Sequence, residues 1–209
     1  MTKLFITLSV IGLSFLIILN ITLLSACENS HKEKKYNPSE TNKLVKGNNS
    51  FCLDLYSQLN KKEGNLFFSA FSISNALAMI YAGAKGITEK EMASVLHFTL
   101  SQNELHPDFL KLSAHMENIQ DKGDVALRIA NALWIQKDFK LKREFLSLTE
   151  KYYNAAPFKV NFIPDAEREK ARQKINQWVE KKTNKKIVDL VPAGVLNSLT
   201  KLVITNAIY

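Results

Sequence analysis

Between Asn65 and Met92 the chain reads NLFFSAFSISNALAMIYAGAKGITEKEM. Ile73, Ala76, Leu77, Met79, Ile80 and Ala84 place apolar groups on almost every side of a predicted helix over Ser72–Ala84. A helix without a polar face cannot lie on a surface, so this one demands a large body around it. Ser69 and Ser72 stand at its start, where a hydroxyl can cap the first turn. Leu66-Phe67-Phe68 reads as a short apolar strand leading into it. Gly83-Ala84-Lys85-Gly86 ends it, and Thr88 with Glu91 reads as a capping box for the next helix.

That body is available, because 209 residues can bury one sizeable core. The net charge is +8, which permits nucleic acid, anionic lipid or an acidic partner. Lysine and arginine are interleaved with glutamate, however, as in Glu167-Arg168-Glu169-Lys170 and Glu180-Lys181-Lys182. Such mixing favours a solvated helix face over a phosphate-binding stripe, and no nucleic-acid partner is expected.

The N-terminus carries Lys3, an apolar run from Leu4 to Leu24, and then Leu24-Ser25-Ala26-Cys27. A positive start, an apolar core and small residues before a cleavage point describe an export signal. The Leu-Ser-Ala-Cys ending resembles the bacterial lipobox, in which the cysteine is lipidated and becomes the new N-terminus. The competing reading is an uncleaved membrane anchor of sufficient length; Asn20, Thr22 and Ser25 weigh against it. The expected organisation is a lipoprotein signal over residues 1–26, a polar tether over 27–48 and a folded domain over 49–209. The tether is charged and holds Pro38 and Gly47. Cys27 is the expected lipid attachment site, and the domain is expected outside the cytoplasm, held to a membrane. Cys52 sits in an apolar helical pattern with Leu55, Tyr56 and Leu59, so a core role is expected.

Periodicity divides the domain into alternating elements. Phe51, Leu55 and Leu59 recur at helical spacing from about Asn49. Helices are predicted over Glu89–Leu96, Gln102–Ile119 (with Pro107 tolerated near its start) and Leu141–Tyr153, the last facing Phe145, Leu148 and Tyr152 inward. Lys122-Gly123-Asp124 reads as a turn. Val125, Leu127, Ile129, Leu133 and Ile135 then line one face of a strand, and Phe158, Val160 and Phe162 line another. A charged helix from Pro164-Asp165 carries one apolar seam, Ala171, Ile175, Trp178 and Val179, which suits a helix covering a sheet. Leu202–Tyr209 is the last strand, expected to leave an open apolar edge.

No Gly-rich phosphate loop and no Gly-x-Ser-x-Gly nucleophile turn is present. His97, His106 and His115 are nine residues apart, which puts successive ones on opposite sides of a helix, and His31 lies far away. No metal-ligand pattern results. No catalytic residue, cofactor or metal is predicted, and the chain is not read as an enzyme.

Several blocks together resemble the serpin family of serine protease inhibitors. The stretch Asn65–Met92 is similar to that family's N-terminal signature. LRIANALWI (127–135) looks like strand 2 of its sheet A, NAAPFKVNF (154–162) like strand 1, INQWVEKKTNKKIVDLVP (175–192) like helix F and its exit, and KLVITNAIY (201–209) like the start of strand 3. The resemblance runs from about residue 48 to 209. It implies an α+β serpin fold, N-terminal half: helices A–F and strands 1–3 of sheet A. The C-terminal half, with the reactive-centre loop, is expected to be missing from this chain. It further implies that the complete protein traps a serine or cysteine protease by inserting that loop into sheet A, with no cofactor. Ser69, Ser72 and Asn206 match the family's shutter, the polar cluster beneath the centre of sheet A. From the residues alone, the two serines could equally be caps and Asn206 a strand residue satisfied by backbone. Ala70 stands where the family motif usually has proline, which leaves that turn less rigid. Two alternatives accompany the inhibitor reading: a truncated non-inhibitory serpin, and a lipid-anchored binding module for an anionic partner.

Overall fold

The computed structural model describes residues 5–10, 42–61, 63–120 and 129–208. Cys27, most of the predicted leader and tether, the turn at 122–124, Val125, Leu127 and Tyr209 lie outside the described residues. The elements run β1 (Phe5–Val10), α1 (Asn42–Leu59), α2 (Ala70–Tyr81), α3 (Ile87–Val95), α4 (Gln102–Gln120), β2 (Ile129–Gln136), α5 (Arg143–Tyr153), β3 (Ala156–Val160), α6 (Asp165–Lys182) and β4 (Leu202–Ile208).

The strands form one sheet in the order β1-β4-β2-β3. β2 and β4 are antiparallel, with Asn131 opposite Asn206 and Leu133 opposite Ile204. β3 runs parallel to β2. Helices cover both faces. On one face Leu133, Ile135 and Ile204 join Phe71 and Met79 of α2 and Phe109 of α4 in a single core. On the other, Ala132, Trp134 and Val203 pack against Ala171 and Ile175 of α6. Every residue of β2 from Asn131 to Gln136 is therefore buried, not just the alternate ones that periodicity picked out. Trp134, Phe109, Phe162 and Met79 are among the largest fully buried side chains. Burial of each such group contributes roughly 1.5–3 kcal/mol.

α2 is the all-round apolar helix, and nine of its twelve residues are buried. Within this chain it is enclosed by α1, α3, α5 and β4. The seam of α6 also forms as expected, with Ala171, Ile175 and Val179 buried beside a half-buried Trp178.

Five local expectations are corrected. Leu66-Phe67-Phe68 is not a strand: no other described strand pairs with it, and Phe67 is 52% exposed. α3 is capped by Gly86 at φ 63°, with no side-chain bond, and not by Thr88. Pro107 lies past the first turn of α4, so the helix forgoes a backbone bond there. α1 starts at Asn42, inside the stretch read as tether. Gly47 belongs to this helix because α1 crosses the turn after α3 there; a Cβ at Gly47 would stand 2.3 Å from the His97 carbonyl oxygen. Finally, the outer edge of β4 is not open. β1 pairs with it in parallel, from Phe5 opposite Val203 to Val10 opposite Ile208. β1 is drawn from the stretch read as an export signal.

Candidate functional site

The centre of the β2–β4 pair carries a buried polar cluster. Asn131 and Asn206 are directly opposite each other and face α2. Asn206 is 1% exposed. Its amide nitrogen donates to Asn131 Oδ1 at 2.7 Å, and its Oδ1 accepts from the Ser72 hydroxyl. The Asn131 amide nitrogen donates to the Tyr153 carbonyl at 2.8 Å and to Asn75 Oδ1 at 3.3 Å. The chain Ser72–Asn206–Asn131–Tyr153 thus ties α2, β4, β2 and the end of α5 together through three side chains and the Tyr153 carbonyl.

Local structure sets each of these positions. Ser69 is the N-cap of α2: its oxygen accepts from the Ser72 amide at 3.2 Å. The cap fixes the first turn, and that turn aims the Ser72 hydroxyl at β4. Ser69 is linked to Asn206 through Ser72. The other face of the same strands is polar as well, where Trp134 Nε1 donates to Thr205 Oγ1 at 3.1 Å beneath α6.

Ser72 and Asn206 are brought together as the sequence pairs them, with Ser69 beside them as a cap. Asn75, Asn131 and the Tyr153 carbonyl belong to the same network, which the sequence pattern does not single out. Their signal was available: asparagine in the middle of an apolar strand or helix has to find buried partners.

A second buried polar group adjoins the cluster. His106 of α4 is 1% exposed, and its Nδ1 lies 2.6 Å from the Tyr153 hydroxyl. Its Nε2 has no hydrogen-bond partner among the described residues. Burial, with a smaller contribution from the charge of Lys85, lowers its pKa to about 4, so the ring is neutral. Burial likewise raises the Tyr153 phenol, which stays protonated. His97 contacts Asp54 at 2.6 Å on the surface, joining α1 to the turn after α3. Among the described residues no group of three or more His, Cys, Asp and Glu could hold a metal ion.

The exit of α6 is held by two clasps. Asn176 accepts from the Val191 amide at 2.8 Å and donates to its carbonyl at 3.0 Å. Thr183 Oγ1 donates to the Val179 carbonyl at 2.9 Å and accepts from the Ile187 amide at 3.1 Å. These are the Asn-x-Trp-Val and Thr-x-x-Lys-Ile elements of the sequence, and they return the chain to the start of β4.

The sequence model of the serpin family (serine protease inhibitor) matches residues 46–209. A leukocyte elastase inhibitor of Xenopus tropicalis is 44% identical over 161 residues, covering 76% of this chain and 42% of that protein. An uncharacterized serpin-like protein of Methanosarcina mazei is 37% identical over 177 residues, covering 79% of this chain and 39% of that protein. The chain therefore spans less than half the length of these relatives. Among solved structures, the cleaved form of a protein named Serpin 42Da superposes with a TM-score of 0.71 at 31% identity, over 81% of this chain and 44% of that one. An Arabidopsis serpin in its native stressed conformation gives a TM-score of 0.70 at 29% identity, over 83% and 44%.

Proposed function

The chain belongs to the serpin family, and from that membership we propose that the protein it forms part of is a protease inhibitor acting by loop insertion. The target is a serine or cysteine protease, which cleaves a bait loop and remains acylated to it. The loop then enters sheet A as a new strand. Within this chain we assign the shutter role to Ser69, Ser72 and Asn206, with Asn131 as their cross-strand partner.

The observation that carries the reading is the hydrogen-bonded chain from Ser72 through Asn206 to Asn131 at the middle of the sheet. A sheet that must part needs contacts that hold it closed and can be remade once it opens. Interdigitated apolar packing would resist separation, whereas carboxamides and hydroxyls can exchange partners. Similarity to leukocyte elastase inhibitors supports the target class. The test is incubation of the full-length protein with elastase-like and subtilisin-like proteases. A complex that survives boiling in detergent is expected. Cleavage of the protein by every protease tested, with no such complex, would overturn the proposal.

The Leu-Ser-Ala-Cys ending of the apolar run supports a second assignment: Cys27 carries the lipid, and the inhibitor works outside the cytoplasm at a membrane. A diacylglycerol supplies two chains, enough for stable attachment. Mass spectrometry of the membrane fraction should find a mature N-terminus at Cys27 with added lipid; a protein beginning at Met1 would refute it.

A further inference from the structure

On the reading of the polar cluster as the contact that holds the sheet closed, we infer that His106 of α4 is its positioning residue. Through Tyr153 it braces the Asn131–Asn206 pair, and a proton on its ring releases that brace. Tyr153 is the joint between the two. It ends α5, and its two polar groups go to different elements. The hydroxyl lies 2.6 Å from His106 Nδ1, and the carbonyl accepts from the Asn131 amide nitrogen at 2.8 Å. The carbonyl is available because the helix stops there, and a last-turn carbonyl has no partner within its own helix. Asn154, left-handed at φ 48°, turns the chain and donates its amide to the Glu150 carbonyl, while Ala155 donates to that of Thr149. Hydroxyl and carbonyl belong to one residue, so moving the Tyr153 ring moves the group that fixes Asn131.

The buried ring is matched for one hydrogen bond. Nδ1 meets Tyr153, and Nε2 has no hydrogen-bond partner among the described residues. A neutral imidazole meets this by donating from Nδ1 and leaving a bare lone pair at Nε2. Imidazolium donates from both nitrogens, so it carries an unmatched N–H at Nε2 whichever tautomer it came from. The surroundings offer that N–H nothing. Tyr81 of α2 and Tyr152 and Tyr153 of α5 present rings with centroids 6.4, 6.3 and 5.7 Å from that of His106. Lys85, after α2, adds a positive charge that opposes a second one. The carboxylates of the neighbouring elements are engaged: Glu89 of α3 accepts from Gln102, Glu104 from Ser101 and Asp108 from Lys111. α1 brings Lys43 to the cleft beside Glu104 and Asp108, and Lys151 lies 4.8 Å over the Tyr152 ring.

With no acceptor and no counter-charge among the described residues, a protonated His106 has to reach water, and α4 and α5 part at Tyr153 to let it. Asn131 Nδ2 then keeps the longer bond, 3.3 Å to Asn75 Oδ1 on the α2 side. Its pair with Asn206 loses the brace from α5. The effect belongs to one side of the sheet. α6 packs on the other face, and the clasp at its exit, Thr183 with the Val179 carbonyl and the Ile187 amide, contains no titratable group.

Hydrogen exchange of the full-length protein at pH 7 and pH 5 tests this, read by mass spectrometry and corrected for the intrinsic pH dependence of exchange. Peptides covering Ile129–Gln136 and Leu202–Ile208 should open about tenfold or more often at pH 5, because an opened His106 takes its proton near 6.5 and the closed one does not. Peptides from the C-terminal half of α6 should change less than about twofold. In His106→Gln the acid step should vanish. Tyr153→Phe keeps the ring and removes the link: the strand peptides should exchange faster already at pH 7, and their acid step should fall below about threefold. A full step in His106→Gln would overturn the role of His106, and a full step in Tyr153→Phe would overturn its route to the sheet. An equal step in α6 would overturn the inference by making acid act on the whole fold. Should one variant not fold, the other still decides. No protease takes part, so the coupling can fail while the protein still inhibits, and hold where no protease complex forms.

Discussion

Asn206 can sit at the middle of β4 because Ser72 and Asn131 both bind its carboxamide. The two serines before α2 consequently do different work. Ser72→Ala removes a buried donor and strands Asn206 Oδ1, at a cost of about 1–3 kcal/mol. Ser69→Ala removes an N-cap, at about 1 kcal/mol. Denaturant unfolding should rank Ser72→Ala as the more damaging, and Asn131→Ala combined with Ser72→Ala should cost less than the two added, since they share Asn206. Strict additivity would dissolve the network into separate contacts. His106 makes a pH prediction. Folded, it resists protonation until about pH 4, whereas the unfolded chain takes the proton near the ordinary histidine value of 6.5. Between these values the unfolded state binds more protons, so stability is full above about pH 6.5 and falls as pH drops towards 4, by about 2–3 kcal/mol. Urea titrations over that window should slope in the native protein, and the slope should flatten in His106→Gln. An unchanged slope would place the acid sensitivity elsewhere.

Elements show where sequence reading succeeds and where it stops. α2 and α6 were legible because each encodes its surroundings in its own pattern: apolar all round for a helix enclosed on every side, one seam for a helix lying on a sheet. Ser72 and Asn206 were legible from the family resemblance, not from spacing. The failures share one cause, a contact with a distant residue that local pattern does not contain. Gly47 reads as a linker glycine, yet its missing side chain admits the His97 carbonyl. Leu66-Phe67-Phe68 has the composition of a strand and no described ladder to join. Periodicity points Tyr152 inward, but Tyr153 is the buried one, drawn in by His106 Nδ1 and by the bond its carbonyl accepts from Asn131. At the start of α4 the Glu104 carboxylate accepts from both the Ser101 amide and hydroxyl, a capping box. Gly47→Ala tests the tertiary account of α1. In an isolated helix alanine would be favoured by about 1 kcal/mol. Here a Cβ 2.3 Å from a backbone oxygen forces α1 away from the turn after α3, and overpacking of that kind costs about 1–3 kcal/mol. A lower melting temperature is expected; a higher one would mean that α1 does not make this approach in solution.

At the scale of the whole molecule, the sheet has one well-determined centre and one edge that depends on the fate of the N-terminus. β2 and β4 are enclosed by helices on both faces and carry the polar cluster between them. The outer edge of β4 is paired by β1, whose residues 5–10 belong to the stretch proposed to be removed before Cys27. Both cannot hold in one polypeptide: processing at Cys27 would strip β1 and leave the outward N–H and C=O groups of β4 without their ladder. An unpaired apolar edge recruits another strand. Hydrogen exchange followed by mass spectrometry separates the two forms. In the unprocessed chain, peptides covering Leu202–Ile208 should exchange slowly, because both edges of β4 are bonded. In the chain beginning at Cys27, the outward amides should exchange faster while those bonded to β2 stay protected. α3, with no buried residue and with Ile87 and Val95 largely exposed, should exchange early in both forms and so serves as an internal reference. If β4 is protected equally with and without residues 1–26, β1 is not what closes that edge.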